Sequence, residues 1–198
     1  MTFSQKLEIT VKKNNSLLCV GLDSDFNKIP EFLKSKQYPQ FAFNREIIEV
    51  TADLVSVYKP NIAFYESAQG LAGLLQLKKT VDYIKENYPE IPVILDAKNA
   101  DIESTNEGYV TFAFDYIQAD AITLHPYLGK EALKPFLDRK DKALFILCRT
   151  SNPGAGEFQD LTVNGLPLYQ VVAKQVAKKW NENGNCGLLV GATYPSEL

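Results

Sequence analysis

Apolar and polar residues follow two rhythms along this chain. Short apolar runs recur over 17–22, 56–61, from Val93 onward, and over 121–124, 143–148 and 187–192. Each has the length of a buried strand. Between them apolar residues return every three or four positions, the helical period. Phe3, Leu7 and Val11 mark a lead-in helix over 3–13, and Ile47, Ile48, Thr51 and Val55 mark one over 44–54. Leu71, Leu74, Leu75, Lys78, Val81 and Ile84 fall on one side of a long helix over 68–87. Tyr109, Phe112, Ala113 and Tyr116 give a buried face to 105–116, and Val171, Val172, Val176 and Ala177 give one to 167–182. A helical piece near Glu31, a short helix over 131–137 and a helix start at 193–198 complete the pattern. Pro60, Pro89, Pro92 and the run from Asn152 to Gly156 punctuate strand exits and turns.

Strands alternating with helices predict parallel βαβ units. No Gly-x-Gly-x-x-Gly follows the first strand, so an open dinucleotide-binding sheet loses its best signal. Polar residues instead end strand after strand: Asp23, Lys59, Asp96 with Lys98, His125, Arg149 with Ser151, and Thr193. Functional groups ringed at strand ends predict a (β/α)8 TIM barrel. Typical barrels run to about 250 residues. This chain of 198 therefore reads as one domain over 1–198, with six of the eight βα units present. About two units, on the order of 70 residues, are expected to be absent.

Composition narrows the function. The chain is 45% apolar and 23% charged, as soluble globular chains are. A net charge of −3 argues against nucleic acid or an anionic membrane as partner. No apolar run reaches membrane-span length, and the start lacks a signal peptide's apolar segment, so the expected location is the cytoplasm. Cys19, Cys148 and Cys186 are far apart and lack zinc-like spacing; they read as buried free thiols, with no metal.

The chemistry concentrates in Asp96-Ala97-Lys98-Asn99-Ala100-Asp101-Ile102. Residues two apart in a strand share a face, which predicts that Asp96 and Lys98 project together. Burying such a pair is costly for stability alone, whereas the carboxyl end of a barrel strand is where active sites lie. The spelling Asp-x-Lys-x-x-Asp-Ile, with Thr105 three residues after Ile102, resembles the signature of orotidine 5'-phosphate decarboxylase. Asp-Ala-Lys followed by Asp-Ile and Ser-Thr is similar to that family's longer bacterial subgroup. Leu22-Asp23, Tyr58-Lys59-Pro60-Asn61, Asn152-Pro153-Gly154-Ala155 after Ser151, and Val190-Gly191-Ala192-Thr193 match the family in order.

The resemblance implies loss of carbon dioxide from orotidine 5'-phosphate to give uridine 5'-phosphate, the last step of de novo UMP synthesis, without a cofactor. It implies Lys59, Asp96, Lys98 and Asp101 as an alternating charge array, with Lys98 the proton donor. It implies that Asp23 contacts the ribose, that Ser151 binds the pyrimidine, and that Asp101, Ile102 and Thr105 reach into the neighbour's site of a homodimer. The bland readings stand beside these: a turn aspartate at 23, a surface lysine at 59, a helix cap at Thr105, a turn serine at 151, and a packed or hydrogen-bonding His125. Asn99-Ala100 and Glu103 depart from the subgroup's Arg-Gly and Gly. The family's seventh-strand loop and its phosphate-gripping arginine on strand eight have no counterpart, so residues 1–198 alone are expected to be nearly inactive and poorly soluble. Two alternatives remain open. One is a sugar-phosphate decarboxylase or hexulose-phosphate synthase using magnesium; the other is a truncated, non-catalytic paralogue.

Overall fold

The structure is a computed structural model and describes residues 1–193 and 195–197. These gather into two compact units, 1–97 with 111–121, and 98–110 with 122–198.

The first unit holds β1 (Cys19–Gly21) and β2 (Val57–Lys59), which pair in parallel with Cys19 opposite Val57 and Gly21 opposite Lys59. β3 (Ile94–Asn99) begins here, joined to the second-strand segment by parallel bridges Tyr58 to Val93 and Asn61 to Asp96. Ile48, Val55, Tyr58, Tyr65, Leu77, Val81, Ile84 and Val93 lie in its fully buried apolar core, with Ile117. Tyr65 donates to the Leu22 carbonyl at 2.8 Å and accepts from Asn44 at 2.8 Å, and burial pushes its phenol up.

The helices depart from the apolar pattern where polar side chains have partners. In helix Phe3–Asn14 the buried residues are Phe3, Lys6 and Thr10, rather than the full set Phe3, Leu7 and Val11. Lys6 meets Asp120 at 2.9 Å, and Thr10 donates to the Ser56 carbonyl at 2.9 Å. The expected helix over 68–87 is two helices, Ala63–Gln69 and Leu71–Asn87, broken at Gly70 with φ +55°. The second helix crosses the first so closely that a Cβ on Gly73 would lie 1.8 Å from the Tyr65 carbonyl oxygen. Its buried side carries Gln76 and Thr80, while Leu71 is 86% exposed. Gln76 accepts from the Gln40 amide at 2.8 Å and Thr80 accepts from Asn44 at 3.2 Å, a polar seam against helix Pro39–Thr51. At Thr111–Tyr116 the winding widens to a π turn, with Ile117 N–H donating to the Phe112 carbonyl at 2.8 Å. That turn moves Phe114 and Ile117 inward and leaves Tyr116 on the surface, stacked on Phe112 at 5.8 Å. Cys19 is exposed rather than buried, because β1 exposes both ends of its three-residue run; Cys148 is buried and Cys186 half-buried.

The second unit takes up the end of β3, then β4 (Ala121–Leu124), β5 (Ala143–Arg149) and β6 (Cys186–Val190). β5 lies between β4 and β6. β5 and β6 run parallel from Leu144 opposite Cys186 to Arg149 opposite Val190, with a register shift between Leu147 and Arg149. Helix Leu168–Gln175 ends in a π turn, Val176–Trp180, where Val176 is buried and Ala177 exposed. A two-residue antiparallel ladder, Thr162–Val163 with Leu166–Pro167, closes over Asn164 and Gly165, both at positive φ. Pro195–Glu197 form one 3₁₀ turn; Tyr194 and Leu198 of the expected helix start lie outside the described residues. Among the described residues no helix is long and apolar enough to cross a membrane.

Asp120 is the charged anchor of the first unit. Its carboxylate is 5% exposed and receives Lys6 at 2.9 Å, the Val93 N–H at 3.0 Å and Lys85 at 4.0 Å. Asp120→Ala leaves Lys6 buried without this carboxylate and is expected to cost about 3–5 kcal/mol in urea unfolding. Lys6→Met is expected to cost less, because Lys85 remains within 4.0 Å. Equal losses from the two would show that Lys85 does not compensate.

Candidate active site

The exit of β2 and the middle of β3 bring the first group of charges together. Asn61 bridges Asp96, the Asp96 N–H donates to the Pro60 carbonyl at 2.9 Å, and the Ile62 N–H donates to the Asp96 carbonyl at 3.2 Å. This register sets the Lys59 ammonium 2.9 Å from Asp96 Oδ2, with Asn61 Nδ2 at 3.4 Å from the same oxygen. Asp96 is buried, at 5% exposure, and Lys59 is half-buried. Burial by itself pulls the Lys59 ammonium down. The Asp96 hydrogen bond and charge, with Asp23 and Cys19 behind them, outweigh it and hold Lys59 above the usual lysine range. Asp23 itself is exposed on the loop after β1, its carboxylate folded back over Gly21. The structure thus groups Asp23, Lys59 and Asp96.

The remaining candidates belong to the second unit. Lys98 is exposed and has φ +50°, a left-handed backbone that non-glycine residues seldom adopt. Its N–H donates to Thr123 Oγ1 at 2.9 Å, and Thr123 is buried on β4. Asp101 is half-buried on the bend after β3. Its N–H donates to Asn106 Oδ1 at 2.9 Å, and its carboxylate accepts the Ile102 N–H at 2.7 Å. Asn106 in turn donates to the carbonyls of Asp101 at 2.5 Å and Ala132 at 2.6 Å. Ile102 is 63% exposed and Thr105 exposed. Helix Glu103–Val110 starts two residues before Thr105, so Thr105 lies within the helix and is not its cap. Ser151 is exposed on the loop after β5. His125 is half-buried at the end of β4, with its N–H on the Asn99 carbonyl at 3.3 Å. Asn61, Asn106 and Thr123 are contributors that the sequence reading did not single out. Asn61 follows Lys59-Pro60 directly; the other two carry no local signal.

Parallel βα units with paired lysine and carboxylate at strand ends define a chain of the (β/α)-barrel class. Residues 16–198 match the model of the orotidine 5'-phosphate decarboxylase / HUMPS family. The orotidine 5'-phosphate decarboxylase of Herpetosiphon aurantiacus is 53% identical over 197 residues, 99% of this chain and 72% of its own length. That of Cellvibrio japonicus is 48% identical, over 100% of this chain and 72% of its own. The solved structure of Leishmania donovani OMP decarboxylase is similar with a TM-score of 0.88 at 39% identity, covering 100% of this chain and 73% of the other. This chain belongs to the orotidine 5'-phosphate decarboxylase / HUMPS family.

The raised Lys59 pKa makes a pH prediction. The folded value lies above the unfolded one, near 10.4, so the pair's stabilisation is fully present below that pH and lost as pH climbs through the folded value. The stability gap between wild type and Lys59→Met is expected to stay constant from about pH 7 to 9 and to narrow above about pH 10.5. Urea unfolding at a series of pH values reads it. A gap still undiminished at about pH 11.5 would refute the assignment.

Proposed function

We propose that this protein decarboxylates orotidine 5'-phosphate to uridine 5'-phosphate, the closing step of UMP synthesis. The observation that carries the reading is the buried Lys59–Asp96 pair at 2.9 Å, with Lys98 two residues further along the chain. Breaking the bond between the ring carbon and the carboxyl group releases carbon dioxide and leaves an electron pair on that carbon. A fixed ammonium stabilises the charge as it forms, and Lys98 delivers the proton that ends the step. Solvent then restores the lysine proton. Asp96 faces the departing carboxylate and Asp101 completes the Lys59-Asp96-Lys98-Asp101 series; Asp96 keeps Lys59 charged. Asp23 holds the ribose and Ser151 the pyrimidine. No step in this reading is routed through a metal or cofactor.

The site is shared in a homodimer, with Asp101, Ile102 and Thr105 reaching the second subunit's substrate. Exposure of Ile102 and Thr105 at the start of helix Glu103–Val110 supports this.

Because the chain spans 72% of the length of the Herpetosiphon relative, the test uses residues 1–198 and also a chimera carrying that relative's C-terminal part. Carbon dioxide release and uridine 5'-phosphate formation are the readouts. The chimera is expected to turn over, and residues 1–198 alone to do so weakly, since binding energy remote from the reacting carbon drives the chemical step. If neither forms product, the reading is wrong. In the chimera, Lys98→Ala is expected to lower kcat by more than about 10³-fold while affinity for uridine 5'-phosphate changes less than about tenfold. A loss confined to affinity would remove Lys98 as proton donor.

Sharing makes its own prediction. Lys59→Ala and Asp101→Ala chimeras, each inactive, are unfolded and refolded together. Random pairing makes about half the dimers mixed, with one intact site each, so activity near a quarter of wild type is expected. Mixed dimers that form but stay inactive would show that Asp101 serves its own subunit.

A further inference from the structure

The loop after β5 is held by a side chain that no part of the reaction uses. Gln159, the last residue of the short helix Gly156–Gln159, clasps Thr150 through both ends of its amide. Its Oε1 accepts the Thr150 N–H at 2.8 Å and its Nε2 donates to Thr150 Oγ1 at 2.8 Å. Thr150 passes the constraint on, donating to Asn152 Oδ1 at 2.6 Å. Ser151 therefore lies between two residues that are pinned.

The surroundings hold the clasp from both sides. Arg149 Nη1 approaches Gln159 Oε1 at 3.3 Å. The Arg149 guanidinium is buried, paired with Glu197 at 2.6 Å and Asp160 at 3.3 Å, and lies 5.6 Å over the Tyr169 ring. Behind Ser151, the Gly191 N–H donates to the Arg149 carbonyl at 2.8 Å. A Cβ on Gly191 would stand 3.0 Å from Ser151 Cβ and 3.1 Å from its nitrogen, so the serine backbone rests against a position that tolerates only glycine without movement.

From this geometry we infer that Gln159 is a positioning residue, which sets the Ser151 hydroxyl for the pyrimidine by fixing Thr150. The inference rests on the proposed role of Ser151. A polar side chain satisfying a loop N–H removes alternative backbone conformations before substrate arrives, and such preorganisation appears as affinity.

The test titrates the protein with uridine 5'-phosphate and with ribose 5-phosphate by NMR, for wild type, Ser151→Ala, Gln159→Ala and the double variant. Gln159→Ala is expected to weaken uridine 5'-phosphate about tenfold, as Ser151→Ala does, with no further loss in the double variant. Ribose 5-phosphate, which lacks the base, is expected to bind all four alike; general loosening of the fold would weaken both ligands. Hydrogen exchange at the Thr150 amide, which needs no ligand, is expected to speed up about tenfold or more in Gln159→Ala. Gln159→Glu keeps the acceptor for the Thr150 N–H and is expected to lose less; it serves if the alanine variant fails to fold. If Ser151→Ala weakens binding and Gln159→Ala does not, or if their losses add, the positioning role is overturned and the reading of Ser151 stands. If Ser151→Ala changes nothing, the reading of Ser151 fails and takes the inference with it. Unchanged Thr150 exchange overturns the clasp outright.

Discussion

The ion pair between Lys59 and Asp96 is the interaction around which the strand ends of the first unit are arranged. A carboxylate 5% exposed needs a counter-charge, and the ammonium of the neighbouring strand supplies it at 2.9 Å. The same aspartate also ties the exit of β2, through its own N–H on Pro60 and its carbonyl on Ile62. Charge pairing and strand register are thus one constraint. A slip of β3 by one residue would turn Asp96 to the opposite face and leave its charge in the core. Asp120 plays the corresponding part at the other end of β3, where it receives both the Val93 N–H and Lys6.

In the second unit the candidate residues are set by a different device, a polar side chain that accepts a backbone N–H. Thr123 takes the N–H of Lys98, Asn106 that of Asp101, and Gln159 that of Thr150, all between 2.8 and 2.9 Å. Such anchors answer the difficulty that loops and strand ends lack the ladder hydrogen bonds that fix a strand interior. Lys98 shows why one is needed. A lysine at φ +50° is in a conformation that costs free energy without support, and strain of this kind gathers at functional sites. The Thr123 hydroxyl holds it from β4, where Thr123 is buried.

The order of strands and helices, the Asp-x-Lys-x-x-Asp motif and the family were legible in the chain itself. They depend on local periodicity and on residue types at short spacing, which one sequence displays directly. The pairing of Lys59 with Asp96 could be anticipated only through the resemblance, since 37 residues separate them. The break at Gly70 and the tight ladder at Asn164-Gly165 had local signals, a glycine inside a helical pattern and an Asn-Gly turn, each readable only once the neighbouring elements are placed.

What the sequence could not determine was where on each helix the buried face is centred, since only part of each expected face is inside. On the long helix Val81 and Ile84 of the apolar stripe are buried, but Leu71 and Leu75 are exposed, and Gln76 and Thr80 are inside as well, because Gln40 and Asn44 of another helix meet them with hydrogen bonds. Lys6 and Thr10 displace Leu7 and Val11 for the same reason, and the π turn after Val110 exchanges Tyr116 for Phe114 and Ile117. Burying a polar group costs least where it has a partner, and partners distant in sequence are supplied by the tertiary structure. The sequence by itself determined the order of the main strands and which charged residues lie at their ends. Only the folded chain decided which polar groups found partners, and so where the helices turn and how the candidate loops are held.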